Sequence, residues 1–206
     1  MTDPRYDAFP SGFFHRSDAA DDRQFYAPPR LVTHIDDGAI TAVGALYERL
    51  GLNGAALDLM SSWVSHFVAK PTHLTVLGMN ELELARNPMA DARVVHDLNV
   101  DPTLPFADDT FDAVVCCVSV DYLVRPLEVF DEVARVLRAG GTFVCTFSNR
   151  CFPTKAIAGW LATSDAQHCE IVATYFRLAN GFGDATIERV PTTAVDPLYA
   201  VWATAT

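Results

Sequence analysis

The sequence predicts an α/β fold: a doubly wound, mostly parallel sheet of seven strands, with helices on both faces and an antiparallel hairpin at the C-terminal edge. Three observations carry that prediction. Strand-like and helix-like segments alternate from residue 36 to residue 178. Residues 113–120 form a short, nearly continuous apolar run, the pattern of a strand covered on both faces and too short for a buried helix. Two closing strand patterns follow one another without an intervening helix, which suits a hairpin at one edge.

Taken in order, residues 1–27 are rich in Asp, Pro and aromatic residues without periodicity, and residues 1–35 read as an N-terminal arm ahead of one domain over residues 36–206. Ile40, Val43, Leu46, Tyr47 and Leu50 share a helical face, with Asp36 or Asp37 as N-cap and Gly51 as the stop. Residues 55–59 read as the first strand and 61–67 as a turn entering a helix. The second strand, 73–77, leads to Asn80 with Glu83 three residues on, a capping-box spacing that opens a helix to about Asn87. Residues 94–97 are a short third strand and 113–120 the fourth. Pro126 suits a first helical turn; Val129, Phe130, Val133, Val136 and Leu137 then recur on one face until Gly140 and Gly141, which are expected to stop the helix. Residues 142–147 make the fifth strand, 153–178 a helix, and 185–190 and 199–203 the closing pair.

At 206 residues, half of them apolar, the chain suffices for one well-filled core. A net charge of −11 without a Lys/Arg cluster argues against a nucleic-acid surface, so the expected partner is a small-molecule substrate, with a protein as the alternative. No apolar run of about 18 residues and no basic-then-apolar leader is present, and the expectation is a cytoplasmic protein with no membrane partner. The five cysteines form no CxxC pair and read as small buried hydrophobes in a reducing compartment. No metal site is expected.

Pro105, Phe106, Phe111, Asp112, the run 113–119, the helix from Pro126, and Arg135, Val136, Leu137, Gly140, Gly141 and Phe143 form a connected pattern. It resembles the second half of a class I S-adenosylmethionine-dependent methyltransferase domain of the type 11 kind, and the resemblance extends over about residues 25–203. It implies a Rossmann-like seven-stranded sheet, S-adenosylmethionine as cofactor and methyl transfer to a small-molecule acceptor. A second reading is a methyltransferase fold that has lost catalysis and serves as a binding or regulatory protein. A nicotinamide-dependent dehydrogenase is disfavoured because no GxGxxG follows the first strand.

In such a sheet, ligands bind beyond the carboxyl ends of the strands. The family's Asp-Leu-Gly-x-Gly-x-Gly loop is here Asp58, Leu59, Met60, Ser61, Ser62, Trp63 and Val64, so side chains stand at all three glycine positions and the loop must be reshaped. Asp58 keeps its place as an orienter. The family's ribose-gripping acid aligns with Gly78, followed by Met79 and Asn80; Asn80 or Glu81 is placed to substitute, and Asn80 equally reads as a helix cap. Asp97, with Leu98 beside it, matches the family's acceptor for the adenine amino group, and Phe106 would pack under that pocket or belong to plain core. Ser119, Asp121 and Tyr122 follow the fourth strand near the expected methyl-donor centre, with Asp121 and Tyr122 placed to face substrate. The resemblance makes the cofactor set Asp58, Met60, Ser61, Ser62, Gly78, Met79, Asp97, Leu98 and Ser119. Substrate candidates are Tyr122, then Asn149 and Arg150 after the fifth strand, and Tyr26, Arg30 and His34 of the arm, which in related enzymes folds over the cofactor as a lid. The sequence identifies no catalytic residue. Cys151 has no histidine beside it in sequence, which argues against a thiol nucleophile.

Overall fold

The computed structural model describes residues 3–193 and 195–206, so Met1 and Thr2 of the expected arm lie outside the described residues. After a short 3-10 turn at Pro4–Ala8, the helices are α1 (Asp22–Tyr26), α2 (Asp37–Arg49), α3 (Glu81–Arg86), α4 (Pro126–Val136), α5 (Ala158–Leu161) and α6 (Asp165–Leu178). The strands are β1 (Ala55–Leu59), β2 (His73–Gly78), β3 (Ala92–Val95), β4 (Phe111–Cys117), β5 (Leu137–Phe147), β6 (Thr186–Val190) and β7 (Leu198–Thr204). They form one sheet in the order β3-β2-β1-β4-β5-β7-β6. β1 to β5 are parallel, and β7 runs antiparallel to both β5 and β6. The strand order reverses between β1 and β4, which places a crevice at their carboxyl ends.

Two apolar cores sandwich the sheet. On one face Val129, Phe130 and Val133 of α4 and Val172, Tyr175 and Phe176 of α6 pack on Val114, Phe143 and Val201. On the other, Val43, Leu46 and Tyr47 of α2 pack on Val76, Val115, Val144 and Ala200. α2 starts where the Asp36 carboxylate accepts the Ala39 N–H at 2.9 Å, and ends ahead of Gly51, whose φ of +69° suits only glycine comfortably.

Four sequence expectations need correction. Residues 61–67 enter no helix; they form an irregular loop, because Ser61 and Ser65 spend their hydroxyls on Asp58, hydrogen bonds that compete with helical backbone pairing. α4 ends by the Leu137 N–H bonding to Val133, and Gly140 and Gly141 lie inside β5. There Gly140, at φ +79°, accommodates the kink where the β4–β5 register shifts. The single helix expected over 153–178 is two: Thr163 Oγ donates to the Gly159 and Trp160 carbonyls and closes α5, and a Ser164–Gln167 capping box opens α6. The N-terminal segment, expected to be irregular, contains the 3-10 turn and α1. Its aromatic residues explain its docking: Phe9 and Phe14 reach Tyr175 of α6, and the Phe13 ring lies over Gly159 of α5. Arg5 adds an ion pair to Asp131 of α4, and fully buried Lys155 pairs with Asp18 and Asp22.

Candidate functional site

A cavity of about 560 Å³ opens at the carboxyl ends of the central strands and is roofed by residues of the arm. Its first wall is the loop after β1. Met60 adopts φ +55°, the left-handed conformation that glycine takes freely and a residue with a Cβ takes at about 1–2 kcal/mol. Ser61 and Ser65 donate to one oxygen of Asp58 at 2.8 and 2.5 Å, and the Asn87 side-chain amide donates to Ser65 at 2.9 Å. Burial raises the Asp58 carboxyl to about 6, against those two hydroxyls, which favour its charged form. Ser61 N–H bonds to the Leu77 carbonyl at 2.7 Å and so lays the loop across the end of β2.

That position decides the fate of the ribose acid. A Cβ at Gly78 would stand 2.2 Å from the Ser61 carbonyl oxygen, so the backbone of the loop fills the space a side chain there would need. Met79 follows on the wall. Asn80 is a helix cap: its side-chain carbonyl accepts from the Leu82 and Glu83 N–H groups at 3.0 and 3.1 Å. Its amide donates to the Tyr26 and Ala27 carbonyls of the arm. The capping box is completed only on that side, because Glu83 accepts instead from the Arg30 N–H and the Ser62 hydroxyl, both at 2.6 Å. Glu81 does not line the cavity.

After β3, one oxygen of Asp97 accepts the Asn99 and Val100 N–H groups at 3.0 and 3.3 Å. The other, Oδ2, is buried without a partner. Asp97 and Leu98 both line the cavity. Phe106 does not; it meets the edge of Phe111 at 5.0 Å and belongs to the core. After β4, Val118 stands at φ +48°, an outlier for a β-branched residue, and Ser119 and Tyr122 reach the wall. The Tyr122 hydroxyl accepts the Phe152 N–H at 2.8 Å. Asp121, expected to face substrate, turns away into the protein, where burial raises its carboxyl to about 8.

After β5, Asn149 and Arg150 line the cavity, and Arg150 pairs with Asp196 at 2.7 Å. Burial raises the Cys151 thiol, which suits an inert thiol rather than a nucleophile. From the arm come Tyr26, Arg30 and His34; Trp63 of the first loop donates its indole N–H to the Val32 carbonyl and ties the two together. His34 is held below its ordinary range by burial, and His66 is lowered to about 4 by the same cause and by His34 nearby. The cavity thus gathers the candidates Asp58, Met60, Ser61, Ser62, Gly78, Met79, Asp97, Leu98, Ser119, Tyr26, Arg30, His34, Tyr122, Asn149 and Arg150 in one wall. It adds Glu83, Asn99 and Phe152, which the sequence did not single out as site residues: Glu83 reads as a helix-cap partner, and Asn99 and Phe152 sit in loops without periodicity.

Residues 59–145 match the family model of a methyltransferase domain. Among curated proteins, a demethylmenaquinone methyltransferase of Clavibacter sepedonicus is 37% identical over 89 residues, 41% of this chain and 36% of that protein. The methyltransferase GfsG of Streptomyces halstedii is 27% identical over 180 residues, 77% of this chain and 63% of the relative. The chain therefore spans about a third of the first relative's length and under two thirds of the second's. Among solved structures, the 1,6-didemethyltoxoflavin-N1-methyltransferase of Burkholderia thailandensis, with S-adenosylhomocysteine bound, superposes with a TM-score of 0.57 at 14% identity, covering 82% of this chain and 80% of that one.

Proposed function

We propose that this chain, whose residues 59–145 match the family model of a methyltransferase domain, is a class I S-adenosylmethionine-dependent methyltransferase that transfers a methyl group from S-adenosylmethionine to a small-molecule acceptor. The observation that carries the proposal is the Asp97 Oδ2 atom, buried, unpartnered and on the cavity wall, with its sister oxygen fixed by two backbone N–H groups. A buried acceptor without a donor is costly, and an exocyclic amine is a donor of the right kind. The adenosyl half of the cofactor fits these residues: Asp97 and Leu98 would hold the base, and Ser62, Glu83 and the Met60 loop would flank the sugar and the amino-acid end.

When bound, S-adenosylmethionine supplies an electrophilic methyl group. The chain's own residues position and exclude water: Asn80, Glu83 and Trp63 anchor the arm over the cavity, and Tyr26, Tyr122 and Phe152 close its aromatic side. In this reading residues 1–35 are a lid on the domain of residues 36–206. A roofed cavity of this size favours a small acceptor over a macromolecule. Among the described residues no helix is long and apolar enough to cross a membrane, and the five cysteines are free, which supports a reducing cytoplasmic setting.

Titration calorimetry with S-adenosylhomocysteine tests the proposal. Asp97→Ala is expected to weaken binding by about 1–3 kcal/mol, roughly 5- to 150-fold. Equal affinity in parent and variant would place the adenosyl group elsewhere. No binding to the parent would favour the second reading, a binding module on the same fold, whose specific support is the Ser61 carbonyl in the space of the ribose acid.

A further inference from the structure

The cavity presents one cation without a counterion. Arg150 is paired with Asp196, whereas among the described residues no carboxylate pairs with the Arg30 guanidinium. Its contacts are the Phe25 carbonyl at 2.8 Å and the Pro28 carbonyl at 3.4 Å, so at least three of its five N–H donors remain for a ligand. Its central carbon lies 4.5 Å from the Phe25 ring centre, 5.6 Å from Phe152 and 6.0 Å from Tyr26. The His34 ring meets the same Phe152 edge-on at 5.3 Å.

The carboxylates on the wall near this group are already engaged. Glu83 accepts from the Arg30 N–H and the Ser62 hydroxyl, and Asp22 is paired with Arg16 and Lys155. Among the described residues no carboxylate lies within ion-pair distance of the Arg30 guanidinium, and its planar fork matches an incoming carboxylate in a way an ammonium does not. The rings around it offer flat apolar contact.

We propose that the acceptor is an aromatic carboxylate whose acid group is held by Arg30 and whose ring lies among Tyr26 and Phe152. The identification of this ligand as a methyl acceptor rests on the function proposed above; its binding does not.

The test uses the full chain with benzoate and its uncharged counterpart benzamide, followed by ligand-observed NMR titration with and without saturating S-adenosylhomocysteine. Benzoate is expected to bind at least about tenfold more tightly than benzamide. Arg30→Met should abolish that preference, and Arg30→Lys, which keeps the charge but loses the fork, should leave part of it. Arg30→Lys carries the comparison if Arg30→Met fails to fold. Equal binding of the two probes, or a preference that survives both substitutions in full, overturns the proposal. Calorimetry with S-adenosylhomocysteine on the same samples separates the two ideas: a benzoate preference without nucleoside binding sinks the methyl-donor reading alone, and nucleoside binding without a benzoate preference sinks this one alone.

Discussion

Met60 occupies the first of the three glycine positions in the family's loop, and of those three residues it is the one with a left-handed backbone, at φ +55°. Its side chain also stands on the cavity wall. Replacing Met60 by Gly removes the backbone penalty and opens space where the amino-acid end of the cofactor would lie. S-adenosylhomocysteine is expected to bind several-fold more tightly to Met60→Gly, a gain of about 0.5–1.5 kcal/mol in a calorimetric titration. Weaker binding would mean that the thioether arm is itself a ligand contact. Ser62, at the second glycine position, and Ser61 just before it have their hydroxyls fixed by Glu83 and Asp58, so side-chain hydrogen bonds shape the loop.

At the level of elements, the β1 loop and the end of β2 are built as one piece, and Gly78 is where they touch. A methyl group on Gly78 would meet the Ser61 carbonyl at 2.2 Å and the Leu84 side chain at 3.2 Å. Gly78→Ala should therefore destabilise the fold by about 1–3 kcal/mol, read as a drop of roughly 2–12 °C in a melting curve. An unchanged melting temperature would show that the loop shifts freely. This contact also marks the limit of what the sequence makes legible. The α2 cap at Asp36 and the α3 cap at Asn80 are readable because each rests on neighbours within three residues, and β1 and β2 because each is a short run of apolar residues in the sequence itself. The absent helix over 61–67 is not, because it depends on Ser61 and Ser65 finding Asp58 once β1 is in its sheet. The site follows the same division. Strand ends place Asp58, Gly78, Asp97 and Ser119 around one cavity. The direction of Asp121 depends on the strained turn at Val118, and the role of Glu83 on where the arm lands. Neither leaves a periodic signal.

Across the whole molecule, Asp121 lies at a junction of three parts: its carbonyl accepts the Ile157 N–H ahead of α5, its own turn follows β4, and its charge is felt by Tyr26 of the arm. Its side chain is buried with Oδ2 unpartnered, and burial raises its carboxyl to about 8. A carboxyl raised on folding keeps its proton in the native state where the unfolded chain has lost it, so the native state binds more protons between about pH 4 and pH 8 and stability falls as pH rises through that window. Asp58, raised to about 6, adds a loss of the same sign, which ends near its own value. From pH 6 to about pH 8 the remaining slope belongs chiefly to Asp121, and above that the raised thiols of Cys116, Cys117, Cys151 and Cys169 add losses that are common to parent and variant. Asp121→Asn keeps the shape and removes the charge, and its melting temperature should decline less than that of the parent over this range. The two proteins should melt within a few degrees of each other at pH 5, and the variant should be the more stable at pH 9, by on the order of 2–4 kcal/mol in denaturant titrations. Parallel curves from pH 5 to pH 9 would show that Asp121 is ionised in the native state throughout, which would require water or a cation at the junction of arm, β4 and α5.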